Sequence, residues 1–183
     1  MPKLAPLVEK NPDVVGWIQM PNTLVDYPVA RSNDNDYYLH RDLEGREYYP
    51  GTIFMDFRNA GDGNDRHTII YGHNMKDGSM FGTLKRYKKQ DFYDANRFFT
   101  YSTLYADTRW EIFAAYVSPA TLDLIPTEFN DDAAFMDFVK TRQSKSAYAQ
   151  DIELKPTDKV LTLITCTYEL RDARYVIHAR RVE

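Results

Sequence analysis

The sequence predicts a mainly β domain whose strands close into a barrel, and three observations carry that reading. Eight short runs rich in Val, Ile, Thr, Phe, Tyr and Trp recur along the 183 residues, each bounded by Gly, Pro, Asn or Asp. Helical spacing of apolar residues is confined to a few short stretches. The residues with the most reactive chemistry fall at the ends of predicted strands, as they would around a cleft at one end of a barrel.

Taken in order, residues 1–12 are polar and proline-marked, which predicts a short helix or tail packed on the outside. Residues 14–20 and 24–29 read as two strands around a Pro21-Asn22 turn, with Pro28 implying an edge or a bulge. Residues 33–39 carry Asn/Asp capping chemistry and suit a short helix. A third strand is expected over 51–57, then a Gly/Asn/Asp-rich loop over 58–65 and a fourth strand over 68–75. Phe81, Leu84 and Tyr87 recur at helical spacing among lysines, and a second helical piece follows over 91–98. Strands at 99–105 and 110–117 precede a long excursion over 118–150. Within it, Ala134, Phe135, Phe138 and Val139 predict an amphipathic helix over 130–140, capped by Asn130 or Asp131. The last two strands are residues 159–166, a continuous apolar run, and 174–179, which alternates.

With 43% apolar and 14% aromatic residues, the chain suits a single domain spanning 1–183 with a sizeable core. A net charge of −4, mixed in sign, argues against a nucleic-acid partner and against a basic membrane-binding face. No run approaches the ~18 apolar residues of a membrane span, and the first residues lack the apolar core of a signal peptide. One cysteine cannot form an internal disulfide, which fits either a reducing compartment or a thiol that must stay free. The four histidines are scattered without zinc spacing. Asp56, Asp62 and Asp65 lie in and beside a loop that reads as a turn, so neither metal nor cofactor is expected.

Cys166 ends one predicted strand and Arg174 begins the next, while Thr68-Ile-Ile-Tyr-Gly-His73 brings an imidazole to the end of another. A nucleophilic thiol needs a base or acid beside it and a cation or donor for the oxyanion that follows attack. These three side chains supply that set. Cysteine phosphatases also place an arginine soon after the cysteine, but their phosphate loop needs five intervening residues and little bulk. Here Arg171 comes after four, none of them glycine. The signature of papain-type proteases is absent as well.

Thr-Leu-Ile-Thr-Cys166 followed by Arg174, with Tyr-Gly-His73-Asn-Met upstream, resembles the sortases, the cysteine transpeptidases of Gram-positive cell surfaces. Asn11-Pro-Asp-Val-Val-Gly-Trp-Ile, Asp26-Tyr-Pro-Val, Asp36-Tyr-Tyr-Leu, Gly51-Thr-Ile-Phe-Met-Asp and Gly72-His-Asn-Met-Lys-Asp-Gly-Ser-Met-Phe bring the likeness closest to class B. Their order and spacing cover nearly the whole chain. The resemblance implies a closed eight-stranded sortase-type barrel with an N-terminal helix and a helix inserted between strands 6 and 7. It also implies a membrane anchor N-terminal to this chain, holding the enzyme on the outer face of the membrane.

Rivals to the three residues are His40 and His67, read as solvated, and His178, read as structural. His178 shares a pleat face with Arg174 but lies ~13 Å along the strand at about 3.3 Å per residue. Arg171 falls in the connection, whereas Arg174 sits on the first rung of the strand, where the family pattern also puts the arginine. Ile164, Thr165 and Thr167 are expected to contact substrate, with the 118–150 excursion lining the pocket. The resemblance implies that Cys166 attacks the threonine carbonyl of a C-terminal sorting signal, of the Asn-Pro-x-Thr-Asn or Ser/Pro-Pro-x-Thr-Gly kind. His73 then serves as acid and base, Arg174 holds the oxyanion, and the acceptor is an amine of a peptidoglycan cross-bridge or a pilin lysine. Two other readings stay open: a cysteine endopeptidase of the same fold that uses water, and a non-catalytic surface-binding barrel.

Overall fold

The computed structural model describes residues 4–119, 125–146, 148, 151–166 and 173–182. Helix α1 (Ala5–Lys10) leads into strands β1 (Val14–Gln19) and β2 (Asp26–Ala30), then a 3-10 turn at Tyr37–Leu39. Strands β3 (Phe54–Met55) and β4 (His67–His73) follow, then a 3-10 stretch (Gly82–Lys88), α2 (Gln90–Asn96), β5 (Phe98–Thr103) and β6 (Asp107–Pro119). Helix α3 (Asp132–Ser144) lies in the β6–β7 connection, ahead of β7 (Val160–Cys166) and β8 (Ala173–Arg181). The eight strands close into a barrel in the order β1-β2-β3-β4-β7-β8-β6-β5.

Neighbours β4 and β7 run parallel and in register over their full length, from His67↔Val160 to His73↔Cys166. β8 returns antiparallel beside β7, with Val160↔Arg180 through Ile164↔Val176 paired. Ile70, Leu161, Leu163 and Ile177 point into the barrel, and Ile69, Val160, Ile164 and Val176 lie on the outer face beneath Phe135, Phe138 and Val139 of α3. Strands covered on both faces lose the alternation of a half-exposed strand and read as continuous apolar runs, which is why β4 and β7 do.

The helix in the excursion is longer than its apolar spacing predicts, and its cap is Asp131, whose carboxylate accepts from the Ala134 amide at 2.7 Å. Pro28 pairs with Trp17 of β1, and β2 meets β3 only through Ala30, so the missing proline N–H leaves no gap in the ladder. β3 shrinks to two residues. Gly51 before it adopts φ +63, where an added Cβ would collide with the Leu39 carbonyl, and Asp56 after it turns back on its own loop.

Candidate active site

The parallel register of β4 and β7 sets the geometry. His73 and Cys166 are Cα partners on the last rung of the pair. One strand further on, the Tyr175 amide donates to Thr165 Oγ1 at 2.8 Å, extending the β7–β8 pairing past its last ladder rung. Continued two residues beyond its last rung, that register would set Arg174 opposite Cys166. With adjacent strands about 4.8 Å apart, positions 73 and 174 lie roughly 10 Å apart with 166 between them. His73 and Arg174 share the parity of Ile69 and Val176, so both belong to the outer face of the barrel rather than to its interior.

His73 is 5% exposed. Its Nε2 lies 2.8 Å from the Leu39 carbonyl, which can only accept, so Nε2 carries the proton and Nδ1 is the nitrogen that gains or loses one. Burial pushes its pKa below the ordinary 6.5; the Leu39 carbonyl opposes that shift and the neighbouring His40 reinforces it. The His40 and Tyr49 rings stand 5.7 and 6.3 Å from it. The next residue, Asn74, bridges to Met80, and the Phe81 amide donates to the His73 carbonyl, pinning the turn that ends β4. Gly72 is required there because a Cβ would run into the Phe81 ring.

Arg174 is half-buried and pairs in register with Ser118 of β6. The other expected contact residues fare differently. Ile164 is 1% exposed and packs within the cluster under α3. Thr165, also 1% exposed, points the opposite way, and its hydroxyl is spent on the backbone of Tyr175. Thr165 therefore helps hold β7 and β8 together through its hydroxyl. Thr167 and Arg171 lie outside the described residues.

His67 is a correction. Its polar neighbours suggested solvation, yet it is fully buried as the first residue of β4, with Nδ1 2.6 Å from the Pro126 carbonyl and Nε2 2.7 Å from Thr162 Oγ1. Burial lowers its pKa to about 4. His178 is structural as expected: Nδ1 meets Thr162 Oγ1 at 2.7 Å, Nε2 meets the Tyr116 hydroxyl at 2.8 Å, and burial holds its pKa well below 6.5.

Sequence reasoning missed the cluster flanking the row. Asp56 is fully buried and accepts two bonds from the Arg58 guanidinium at 2.8 Å, one from the Tyr71 hydroxyl at 2.9 Å and one from Asn35 Nδ2 at 3.2 Å. Burial alone would raise the Asp56 carboxyl, but these donors outweigh it and hold it below the usual range. The signal was present in an acid and an arginine two residues apart at a strand end. Asp62 accepts from Asn64, and Asp65 from the Ala60 amide. Among the described residues, no group of three or more His, Cys, Asp or Glu is placed to hold a metal ion.

A family model described as "Sortase domain" matches residues 18–182. The chain is 38% identical to Sortase B of Listeria monocytogenes over 98% of its own length and 74% of the relative's. Its fold superposes on sortase B from B. anthracis in complex with AAEK1 with a TM-score of 0.93, at 39% identity, covering 99% of this chain and 84% of that one. The Staphylococcus aureus sortase B-substrate complex gives a TM-score of 0.93 at 33% identity, covering all of this chain and 85% of that one.

Proposed function

The chain belongs to the sortase family, in its class B, whose members are cysteine transpeptidases of surface-protein sorting, and from that premise we propose that Cys166, His73 and Arg174 carry the reaction. The observation that supports this reading is that His73 and Cys166 are Cα partners on the last rung of β4 and β7, with Arg174 in the opening residues of the neighbouring β8. The Cys166 thiolate adds to the carbonyl carbon of the threonine in a sorting signal. The Arg174 guanidinium, which keeps its charge throughout, faces the oxyanion. As the intermediate collapses, the C–N bond breaks and a protonated His73 gives its proton to the leaving amine. In the second half an acceptor amine adds to the thioester, returns a proton to His73 and expels the thiolate.

Burial lowers the His73 pKa from its ordinary value, which favours the neutral imidazole. The donor is a surface-protein signal of the Asn-Pro-x-Thr-Asn or Ser/Pro-Pro-x-Thr-Gly kind, and the acceptor an amine of a peptidoglycan cross-bridge or a pilin lysine. The family is associated with the Gram-positive cell envelope. Among the described residues no helix is long and apolar enough to cross a membrane, and the enzyme's place on the outer membrane face rests on an anchor N-terminal to this chain.

Labelled pentapeptides of both kinds, incubated with and without an amine acceptor, test the reading. Ligation that depends on the amine supports it. Hydrolysis unaffected by amine replaces the transpeptidase with an endopeptidase, and no cleavage by wild type with any signal leaves only a binding barrel.

A further inference from the structure

One segment, residues 39–49, surrounds His73 from outside the sheet. The Leu39 carbonyl accepts from Nε2, and the rings of the next residue, His40, and of Tyr49 stand 5.7 and 6.3 Å from the imidazole. His73 itself is nearly buried, whereas His40 is exposed and Tyr49 is 64% exposed. These two rings therefore border the imidazole on the side that opens to solvent.

The loop that carries Tyr49 is pinned along its length. Arg41 bridges to Glu47, the Tyr48 amide donates to the His40 carbonyl at 2.9 Å, and the Gly51 amide donates to the Tyr48 carbonyl at 2.9 Å. Thr52 closes the loop, its amide on the Tyr38 carbonyl at 2.9 Å and its hydroxyl on the Arg41 carbonyl at 2.8 Å. At the tip the Asp42 carboxylate accepts from the Glu44 and Arg46 amides and from the Arg46 guanidinium. Tyr49 belongs to none of the hydrophobic clusters, so core packing does not account for an aromatic side chain there.

In the reaction proposed above, the atom that meets His73 is an amine nitrogen, first the one that leaves and then the one that arrives. The arriving amine is an ammonium at neutral pH. An ammonium is attracted to the face of a tyrosine ring when it lies within about 6 Å of the centroid. A nitrogen approaching the His73 ring from its solvent side enters that range of Tyr49.

We propose that Tyr49 is a binding residue for the acceptor, its ring receiving a primary alkylammonium and the chain that bears it, with His40 on the other flank. The proposal rests on the transpeptidase reading and names where its second substrate docks. Tyr49 takes no part in the bond changes. The ammonium releases one proton to solvent, the free amine forms the C–N bond and gives its second proton to His73, and the C–S bond breaks to return the thiolate.

The experiment incubates wild type, Tyr49→Ala and Tyr49→Phe with a labelled signal peptide and rising triglycine amide or Nα-acetyl-lysine amide, and reads the ratio of ligated to hydrolysed product. Both products come from one thioacyl enzyme, so the ratio is independent of how fast that intermediate forms. Wild type is measured first, and absence of ligation there overturns the transpeptidase reading and the proposal with it. Given wild-type ligation, Tyr49→Ala should raise the apparent KM for the amine and lower the ratio about three- to tenfold below saturation. Tyr49→Phe keeps the ring and should stay within about twofold of wild type. Hydroxylamine, uncharged at neutral pH and without a chain, reports whether His73 has merely shifted, and with it the Tyr49→Ala ratio should fall much less. A Tyr49→Ala ratio equal to wild type with both amines, an equal fall with hydroxylamine, or loss of both products together overturns the proposal and leaves the transpeptidase reading standing.

Discussion

Strands β4, β7 and β8 carry two polar rows on the same outer face, and the two have opposite characters. Near one end, His67, Thr162 and His178 are fully buried under α3, and each ring nitrogen has a fixed partner. At the other end, His73 is the Cα partner of Cys166, and its Nε2 donates to the Leu39 carbonyl. Both rows use imidazoles lowered by burial. A histidine saturated on both nitrogens has no way to exchange a proton with a ligand and serves to hold strands. An imidazole at a strand end beside the expected nucleophile is placed to move a proton.

The largest effect should come from breaking the rim row. His73→Gln is expected to slow acyl transfer by 10²–10⁴-fold, read by peptide cleavage, with the denaturation midpoint unchanged. A fall in stability of the same free energy would put His73 with the buried row. Arg174→Lys keeps the charge but loses the planar fork, and should cost on the order of 10²-fold in kcat/KM. A variant with wild-type kcat/KM would remove Arg174 from the oxyanion.

The buried row answers to acid. His67 in the unfolded chain takes up its proton near 6.5, and in the folded protein only at about 4. Between those values the unfolded state holds more protons, so stability falls as pH falls from about 6.5 to about 4, by roughly 3 kcal/mol from this group. His178 acts in the same direction. Urea midpoints at pH 7, 5.5 and 4 check this, and a His67→Asn variant with an unchanged pH slope would contradict it. Smaller still, Tyr116→Phe strips the donor from His178 Nε2 and should cost about 1–3 kcal/mol in chemical denaturation while leaving turnover alone.

Much of the rim row could be read from the sequence because strand ends leave local marks: the apolar run into Cys166, the Gly-His-Asn turn after β4, and the alternation that starts at Arg174. Strand parity was legible too and went unused for His67. It lies six residues before His73, an even step, and so on the same face, and its parallel partner Val160 opens a strand with no solvent-facing side. Polar neighbours in sequence misled there, because Asp65 and Arg66 sit in the loop while His67 is already inside the sheet. Thr165 illustrates the converse, since it alternates with Ile164 and adjacency in a strand means opposite faces. The grip of Arg58 and His67 on Ile125 and Pro126 left no sequence mark at all. Contacts from side chain to backbone carbonyl across 59 and 67 residues depend on the excursion's path, and carbonyls carry no residue identity.

Intact-protein mass after mixing with a signal peptide tests most directly whether Cys166 is the atom at the centre of the rim row. Wild type should gain the mass of the acyl fragment up to its threonine, His73→Gln should gain it slowly, and Cys166→Ala should gain nothing and release no product. Cleavage by Cys166→Ala at the wild-type rate, or an adduct mapped to another residue, would contradict the account.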